Sequence, residues 1–406
     1  MEARPIRLDE AGNLLVPDHV VIPFITGDGI GKDIWPAART VMDAAVRSVF
    51  GDSKSIQWLE VEAGNECFNA TGDGLPDASI QTISDHHVAI KGPMSTPVGK
   101  GMRSLNVRLR QTLDLFACIR PVAYYPPVPS PVKYPEKTDI VVFRENTEDL
   151  YAGIEWDSGE ADTRKLIQIL NDQFGTSLSH TASLGLKPMT PEGSKRLIAS
   201  AIAYALENGR KSVTLMHKGN IMKFTEGGFR EWGYEVAKEQ FPDQVITEQQ
   251  LWDEFKGEVP AGKVLLKDRI ADMIFAEVLI RPEDFEVIAS PNLNGDYISD
   301  ALAAQVGGLG IAPGANVGSE CAVFEATHGT APDIAGQDKA NPCSLILSGA
   351  MMMDHLGWQE VGDKIRSGVA KALAAGKVTP DLAGQIQGGE AVSCSQFAEI
   401  LKEAVA

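Results

Sequence analysis

Residues 19–31 read HVVIPFITGDGIG. An apolar, β-rich run from His19 to Thr26 ends in glycines, and from Ile30 to Phe50 apolar residues recur at helical spacing. This is a strand–loop–helix unit. Gly27, Gly29 and Gly31 follow the spacing GxGxG rather than GxGxxG, so they read as a tight turn and not as a dinucleotide fingerprint. The same grammar recurs downstream. His87–Ile90 runs into KGP, Asp139–Phe143 into RENTED, Ser212–Met216 into HKGN, and Phe285–Ala289 into SPNLNGDYISD. Each apolar run ends in a polar loop, where α/β sheets place their ligands. The fold class expected is therefore α/β.

One helix is fully signalled. Thr190 is its N-cap, Pro191 its first residue, and Leu197, Ile198, Ala201, Ile202 and Ala205 form one face, with Gly209 closing it. Between about Tyr151 and Met189 the pattern changes: SLSHTASLGLKP alternates like a strand, with no clear helix, as a protruding subdomain would.

The chain has 406 residues, 44% hydrophobic and 23% charged, enough for a large core and two or three domains. No run of about 18 apolar residues is present, so no membrane span is expected. The opening MEARPIRLDEAG lacks an apolar stretch and carries Glu2, Asp9 and Glu10. It fits neither a secretory signal nor a transit peptide, and a cytoplasmic, reducing location is expected. The 5 cysteines are scattered, without a CxxC pair, and read as free thiols. A net charge of −18 argues against a nucleic-acid partner. Against so acidic a background, a cluster of arginines carries information.

Such a cluster begins in residues 91–121, KGPMSTPVGKGMRSLNVRLRQTLDLFACIRP. A helical pattern starts at Ser104, which places Ser104, Asn106 and Arg110 near outward-pointing backbone amides, a setting for an anion. Arg120 lies further on and Arg144 opens RENTED. In NLNGDYISD, Asp296 and Asp300 share one face if helical. Spacing leaves two readings open: Asp296 as a helix cap, or the pair as oxygen ligands for Mg2+ or Mn2+. Asp272 is a carboxylate on a mainly apolar helix. Lys218, at a strand end, and Tyr151, after NTEDL, suit either proton transfer or ordinary surface and packing roles. In FEATHGTAPD, His328 sits in a tight polar loop with Gly329 and Thr330, which favours binding.

Together these segments resemble the isocitrate/isopropylmalate dehydrogenase family. The resemblance spans nearly the whole chain and rests on TPVGKGMRSLNVRLRQ, FRENTEDLYAGIEW, HKGNIMKFTEG, NLNGDYISDALAAQVGGLGIAPGAN and EATHGTAP. It is nearest to the bacterial homodimeric branch that acts on isocitrate. It implies the family's own α/β fold, distinct from the Rossmann fold. Residues 1–115 and 307–406 would form a large domain, 116–148 and 191–306 a small domain, and 149–190 a clasp between two subunits. Each active site would be shared, with Lys218 and Asp272 entering from the partner.

The resemblance also implies roles. Arg110, Arg120 and Arg144 would hold the carboxylates of isocitrate, with Ser104 and Asn106 on the carboxylate that distinguishes it from isopropylmalate. Asp272, Asp296 and Asp300 would hold the metal. Lys218 would assist removal of the hydroxyl proton and Tyr151 would protonate the enolate, giving 2-oxoglutarate and CO2 in the tricarboxylic acid cycle. Ser95, Thr96 and Glu325 would lie near the nicotinamide, and His328, Gly329, Thr330, Ala331 and Asn341 would line the coenzyme loop. NADP-using members carry Lys-Tyr after HGTAP, and a later Tyr and Arg; here Asp333, Ile334, Pro380 and Gly384 stand at those positions. Asp333 would repel a 2′-phosphate and accept bonds from free ribose hydroxyls, so NAD is the expected coenzyme. A kinase acting on Ser104 is a further expected partner, because phosphate there would repel the substrate. The alternatives are an NADP-dependent enzyme of the same kind, a dehydrogenase for homoisocitrate, isopropylmalate or tartrate, and a metal-dependent decarboxylase without redox chemistry. The last has no need of the HGTAP loop.

Overall fold

The computed structural model describes residues 2–95 and 104–406. Among the described residues, eleven strands form one mixed sheet. In chain order they are β1 (His19–Ile25), β2 (Ser55–Glu60), β3 (Val88–Lys91), β4 (Ala117–Ala123), β5 (Asp139–Glu145), β6 (Ser212–His217), β7 (Val245–Thr247), β8 (Val264–Ile270), β9 (Val287–Ser290), β10 (Pro313–Val317) and β11 (Ala322–Ala326). Across the sheet the order is β7-β8-β6-β9-β5-β4-β10-β11-β3-β1-β2. The chain is thus α/β, as expected. The five strands from β7 to β5 run parallel, and so do the four from β11 to β2. Between them β4 and β10 pair antiparallel with each other and with their outer neighbours. A Rossmann sheet has no such antiparallel centre.

The helices that matter here are α1 (Gly31–Phe50), α2 (Leu105–Thr112), α3 (Ala161–Phe174), α4 (Pro191–Glu207), α5 (Glu226–Gln240), α6 (Ala271–Ile280), α7 (Asn292–Gln305) and α8 (Cys343–His355). Helices cover both faces of the sheet, which is why β3, β6 and β9 are buried along their whole length and read as continuous apolar runs. On one half α1 and α8 pack over Ile22, Val88 and Phe324. On the other, α4 and α5 cover Val141, Val213 and Val287, while α6 and α7 cover the opposite face through Ile274, Val278, Ile298 and Leu302. Helix α4 follows its sequence signals. The Thr190 hydroxyl accepts from the Gly193 N–H at 3.0 Å, and Leu197, Ile198, Ala201, Ile202 and Ala205 are all 0% exposed. Each large one of these contributes about 1.5–3 kcal/mol by leaving water. All 5 cysteines are free and buried. No described helix is long and apolar enough to cross a membrane.

The segment 149–190 differs from the strand-like expectation. Its strands are only Glu155–Trp156 and Leu184–Gly185, paired antiparallel, and α3 lies between them. Only Thr163 and Ile167 of that helix are buried, so its apolar stripe is narrow and its period faint in sequence. Asp296 lies inside α7, which begins at Asn292, so the cap reading of Asp296 falls.

The glycine turn after β1 is a packing device. The Ile30 N–H donates to the Thr330 carbonyl at 2.9 Å, and the Asp28 N–H to the Pro93 carbonyl at 2.7 Å. Gly29 has φ +56, and a Cβ there would stand 2.0 Å from the Thr330 oxygen. Gly29→Ala is expected to destabilise the protein by at least about 1 kcal/mol, the cost of left-handed backbone alone. A urea unfolding midpoint equal to wild type would overturn this reading of the turn.

Candidate functional site

Strand ends and the loops after them converge at the antiparallel centre of the sheet. Glu325, near the end of β11, is 6% exposed and is the anchor. Its Oε2 accepts from Lys91 Nζ at 2.5 Å, and its Oε1 accepts from Arg110 at 2.6 Å and from Asn316 Nδ2 at 2.7 Å. Burial opposes its charge, but Lys91 and Arg110 outweigh burial and hold the carboxyl well below its usual range.

Two further arginine–carboxylate pairs stand beside it. Arg120, on β4, donates to Asp300 Oδ1 at 2.9 Å and to the Ser299 hydroxyl at 2.7 Å. Arg144, on β5 and 1% exposed, donates to Asn292 Oδ1 at 2.8 Å and to Asp296 Oδ1 at 2.5 Å. Its guanidinium lies 4.8 Å from the centre of the Tyr151 ring, and the Tyr151 hydroxyl donates to Asp296 Oδ2 at 2.9 Å. The three arginines lie near enough to feel one another's charge. Four cations (Lys91, Arg110, Arg120, Arg144) thus face three carboxylates (Glu325, Asp296, Asp300), leaving one positive charge over. Such a site attracts a polycarboxylate.

The aspartates also suit a cation. Burial raises the Asp300 carboxyl, Arg120 pulls it back, and the Asp296 charge raises it further. A divalent ion between the two would relieve that repulsion, and an all-oxygen donor set fits Mg2+ or Mn2+. Asp272 does not join them. It pairs with Lys218 Nζ, and its side chain is 66% exposed. Among the described residues of one chain no set of three His, Cys, Asp or Glu is grouped for a metal.

Ser104 caps α2, its hydroxyl accepting from the Val107 N–H at 3.5 Å. Asn106 Nδ2 donates to the Met94 carbonyl at 3.4 Å, and its Oδ1 is buried without a partner among the described residues. The Ser95 N–H donates to Asp28 Oδ2 at 2.7 Å, and its hydroxyl reaches Thr330 Oγ1 at 3.4 Å. Thr96 lies outside the described residues.

The loop after β11 carries the residues expected to line the coenzyme. His328 Nδ1 bonds the Gly329 carbonyl at 2.9 Å, so Nδ1 carries the proton and Nε2 is an acceptor, buried and without a partner among the described residues. Burial holds the imidazole below its usual value. Gly329 is exposed, and Ala331 takes φ +38 to turn the chain into the short helix Pro332–Ile334. Asn341 is pinned between the Cys343 N–H at 3.0 Å and Asp381 at 3.1 Å. Asp333 and Ile334 are exposed.

Sequence reasoning passed over several members. Lys91 stood in the quoted KGP segment; a lysine ending an apolar strand was the available signal. Nothing local tied Glu226, Lys187 and Asp149 together, since Lys187 lies 38 residues from Asp149 and Glu226 lies 68 from Asn294. The same holds for His217, whose Nε2 bonds Asp268 at 2.9 Å beside Lys218.

The sequence profile of the isocitrate/isopropylmalate dehydrogenase family matches residues 21–401. The isocitrate dehydrogenase (NADP) of Archaeoglobus fulgidus is 51% identical over 394 residues, covering 97% of this chain and 95% of its own. That of Streptococcus mutans, also named for NADP, is 53% identical over 397 residues, covering 97% of each. The crystal structure of isocitrate dehydrogenase from Methylococcus capsulatus superposes with a TM-score of 0.78 at 36% identity, covering 95% of this chain and 99% of that one.

These names correct the expected coenzyme. Relatives at half identity or more are named for NADP, against the NAD inferred from Asp333, Ile334, Pro380 and Gly384. The inference gave the Asp333 carboxylate too much weight. It is exposed, so its repulsion of a phosphate is at most about 2 kcal/mol at contact in water and less once salt screens it, an amount that other contacts to the phosphate can offset.

Two outcomes follow from this geometry. Glu325→Gln leaves Lys91, 2% exposed, without its counter-charge, and should cost about 3–5 kcal/mol in chemical denaturation. A loss below about 1 kcal/mol would remove Glu325 as the anchor. The depressed His328 takes up a proton less readily folded than unfolded. Its contribution is complete above the ordinary value of 6.5 and fades as pH falls through the lower folded value. Coenzyme affinity by fluorescence titration should stay flat down past that pH and weaken only below it; a midpoint above 6.5 contradicts a buried neutral acceptor.

Proposed function

Because this chain belongs to the isocitrate/isopropylmalate dehydrogenase family, we propose that it catalyses the oxidative decarboxylation of isocitrate to 2-oxoglutarate and CO2 with NADP as hydride acceptor. The observation that carries this is the set of three buried or half-buried arginines, each paired with a carboxylate, in a cluster with net positive charge. The names of the relatives support the substrate and the coenzyme.

In this reading Arg120 and Arg144 exchange protein carboxylates for those of the substrate, while Arg110 stays on Glu325 and offers its other N–H groups. Ser104 and Asn106 take the carboxylate that isopropylmalate lacks. Asp296 and Asp300, with Asp272 of the partner subunit, would hold a divalent cation, which supplies the Lewis acidity that lowers the pKa of the substrate hydroxyl. NADP, bound along His328, Gly329, Thr330, Ala331 and Asn341, supplies the hydride acceptor. Lys218 of the partner subunit assists loss of the hydroxyl proton. Tyr151 keeps its own proton, because burial raises its phenol above the usual value despite Arg144, and delivers it to the enolate carbon.

A homodimer with shared sites explains what one chain leaves exposed. Met273, Leu279 and Ile280 of α6 are 46%, 55% and 74% exposed, and Tyr297 of α7 is 57% exposed. Phe224, six residues after Lys218, is 92% exposed. Apolar side chains exposed in this way, several of them close in sequence to Lys218 and Asp272, fit burial against a second copy. The two parallel halves of the sheet support the domain division 1–115 with 307–406 and 116–148 with 191–306, and the excursion at 149–190 fits a clasp. A kinase acting on Ser104 would add negative charge at the start of α2, beside the substrate arginines.

Initial rates of absorbance growth at about 340 nm test the reading, with isocitrate, Mg2+ and either coenzyme. Turnover with a higher kcat/KM for NADP is the expected result. A higher value for NAD would overturn the coenzyme, and no turnover with either would overturn the substrate.

A further inference from the structure

A buried charge chain lies outside the groups assigned to substrate, metal or coenzyme. Glu226, the first residue of α5, is 1% exposed. Its Oε2 accepts from the backbone N–H of Lys218 at 2.5 Å and from Asn294 Nδ2 at 3.0 Å. Its Oε1 pairs with Lys187 Nζ at 3.0 Å. Lys187 also donates to Oδ1 of Asp149, itself 1% exposed. Asp149 Oδ2 accepts from the Leu293 N–H at 2.9 Å, and Asp149 holds φ +70 at the head of the short helix Asp149–Ala152.

Each link fastens a different element. Asp149 sits two residues before Tyr151. Leu293 and Asn294 form the first turn of α7, which carries Asp296. Lys187 follows the returning strand of the 149–190 excursion, and Glu226 grips the backbone of Lys218. A buried carboxylate or ammonium stripped of its partner is strongly destabilising, so these elements shift together or not at all.

We propose that Glu226, Lys187 and Asp149 are positioning residues that couple the two active sites of a dimer. This rests on the shared-site reading above. Tyr151 and Asp296 then serve a chain's own site while Lys218 serves its partner's, and the charge chain is the rigid connection between them. Displacement of Lys218 by ligand in one site is passed through Glu226 and Lys187 to Tyr151 and Asp296 in the other.

Hybrid dimers test this. A Tyr151→Phe chain paired with a Lys218→Met chain contains one intact site, so turnover lost in each parent should return in the mixture. Lys187→Met is then added to one chain or the other. Turnover of the restored site should fall by about 10–100-fold in both placements, with KM for isocitrate little changed, the scale expected when reacting groups are displaced by about 1 Å. Lys187→Arg keeps the cation and should recover most of the loss. Circular dichroism and a coenzyme titration establish that each variant is folded; if Lys187→Met is not, Glu226→Gln replaces it with the same expectations. An effect in only one placement, equal losses for Met and Arg, or no loss would overturn the coupling. If the parental mixture restores nothing, the sites are not shared and the coupling fails with them, while wild-type turnover of isocitrate still stands on its own.

Discussion

An ionised Glu325 is tolerable inside the protein only because Lys91 and Arg110 reach it there. A buried carboxylate without those partners costs several kcal/mol. The contact therefore joins elements that the chain brings from far apart: β11 near the C-terminus, β3 near the N-terminus, and α2. It also fixes Arg110. Asn316 closes the arrangement from β10, one of the two antiparallel strands on which the parallel halves of the sheet are joined. The position of the site and the unusual centre of the sheet are thus one fact seen twice.

The same logic extends through the cleft. Arg120 and Arg144 are buried charges, and they rest on Asp300 and Asp296. The aspartates are thereby held on one face of α7, ready for a cation, and the arginines keep their rotamers. Tyr151 lies against Arg144 and hydrogen-bonds Asp296, so the proposed proton donor is aligned by the groups proposed to hold substrate and metal.

Much of this was legible beforehand, and the failures have physical causes. The parallel strands could be read because burial on both faces makes them continuous apolar runs. Helix α4 could be read because Thr190, Pro191 and a five-residue buried face all agree. Helix α3 escaped because a helix with two buried residues leaves little period to see. The anchoring role of Glu325 escaped because a glutamate looks the same in sequence whether it meets a ligand or two buried cations. The coenzyme inference failed at Asp333 for a related reason: the strength of a charge depends on its exposure, which residue identity does not record.

What the sequence by itself determined was whatever is local: the α/β class, the strand–loop–helix units, the capped helices, and the families of charge that mark the loops after the strands. Hydrophobic period, turn chemistry and capping act over a few residues and leave a trace in those residues. The tertiary structure alone decided which arginine pairs with which aspartate, that Glu325 is an anchor, that Asp272 stands apart from Asp296 and Asp300 within one chain, and that Glu226, Lys187 and Asp149 form one buried chain. Those facts depend on partners up to 234 residues away and on how much water each group keeps, and both are settled only when the sheet closes.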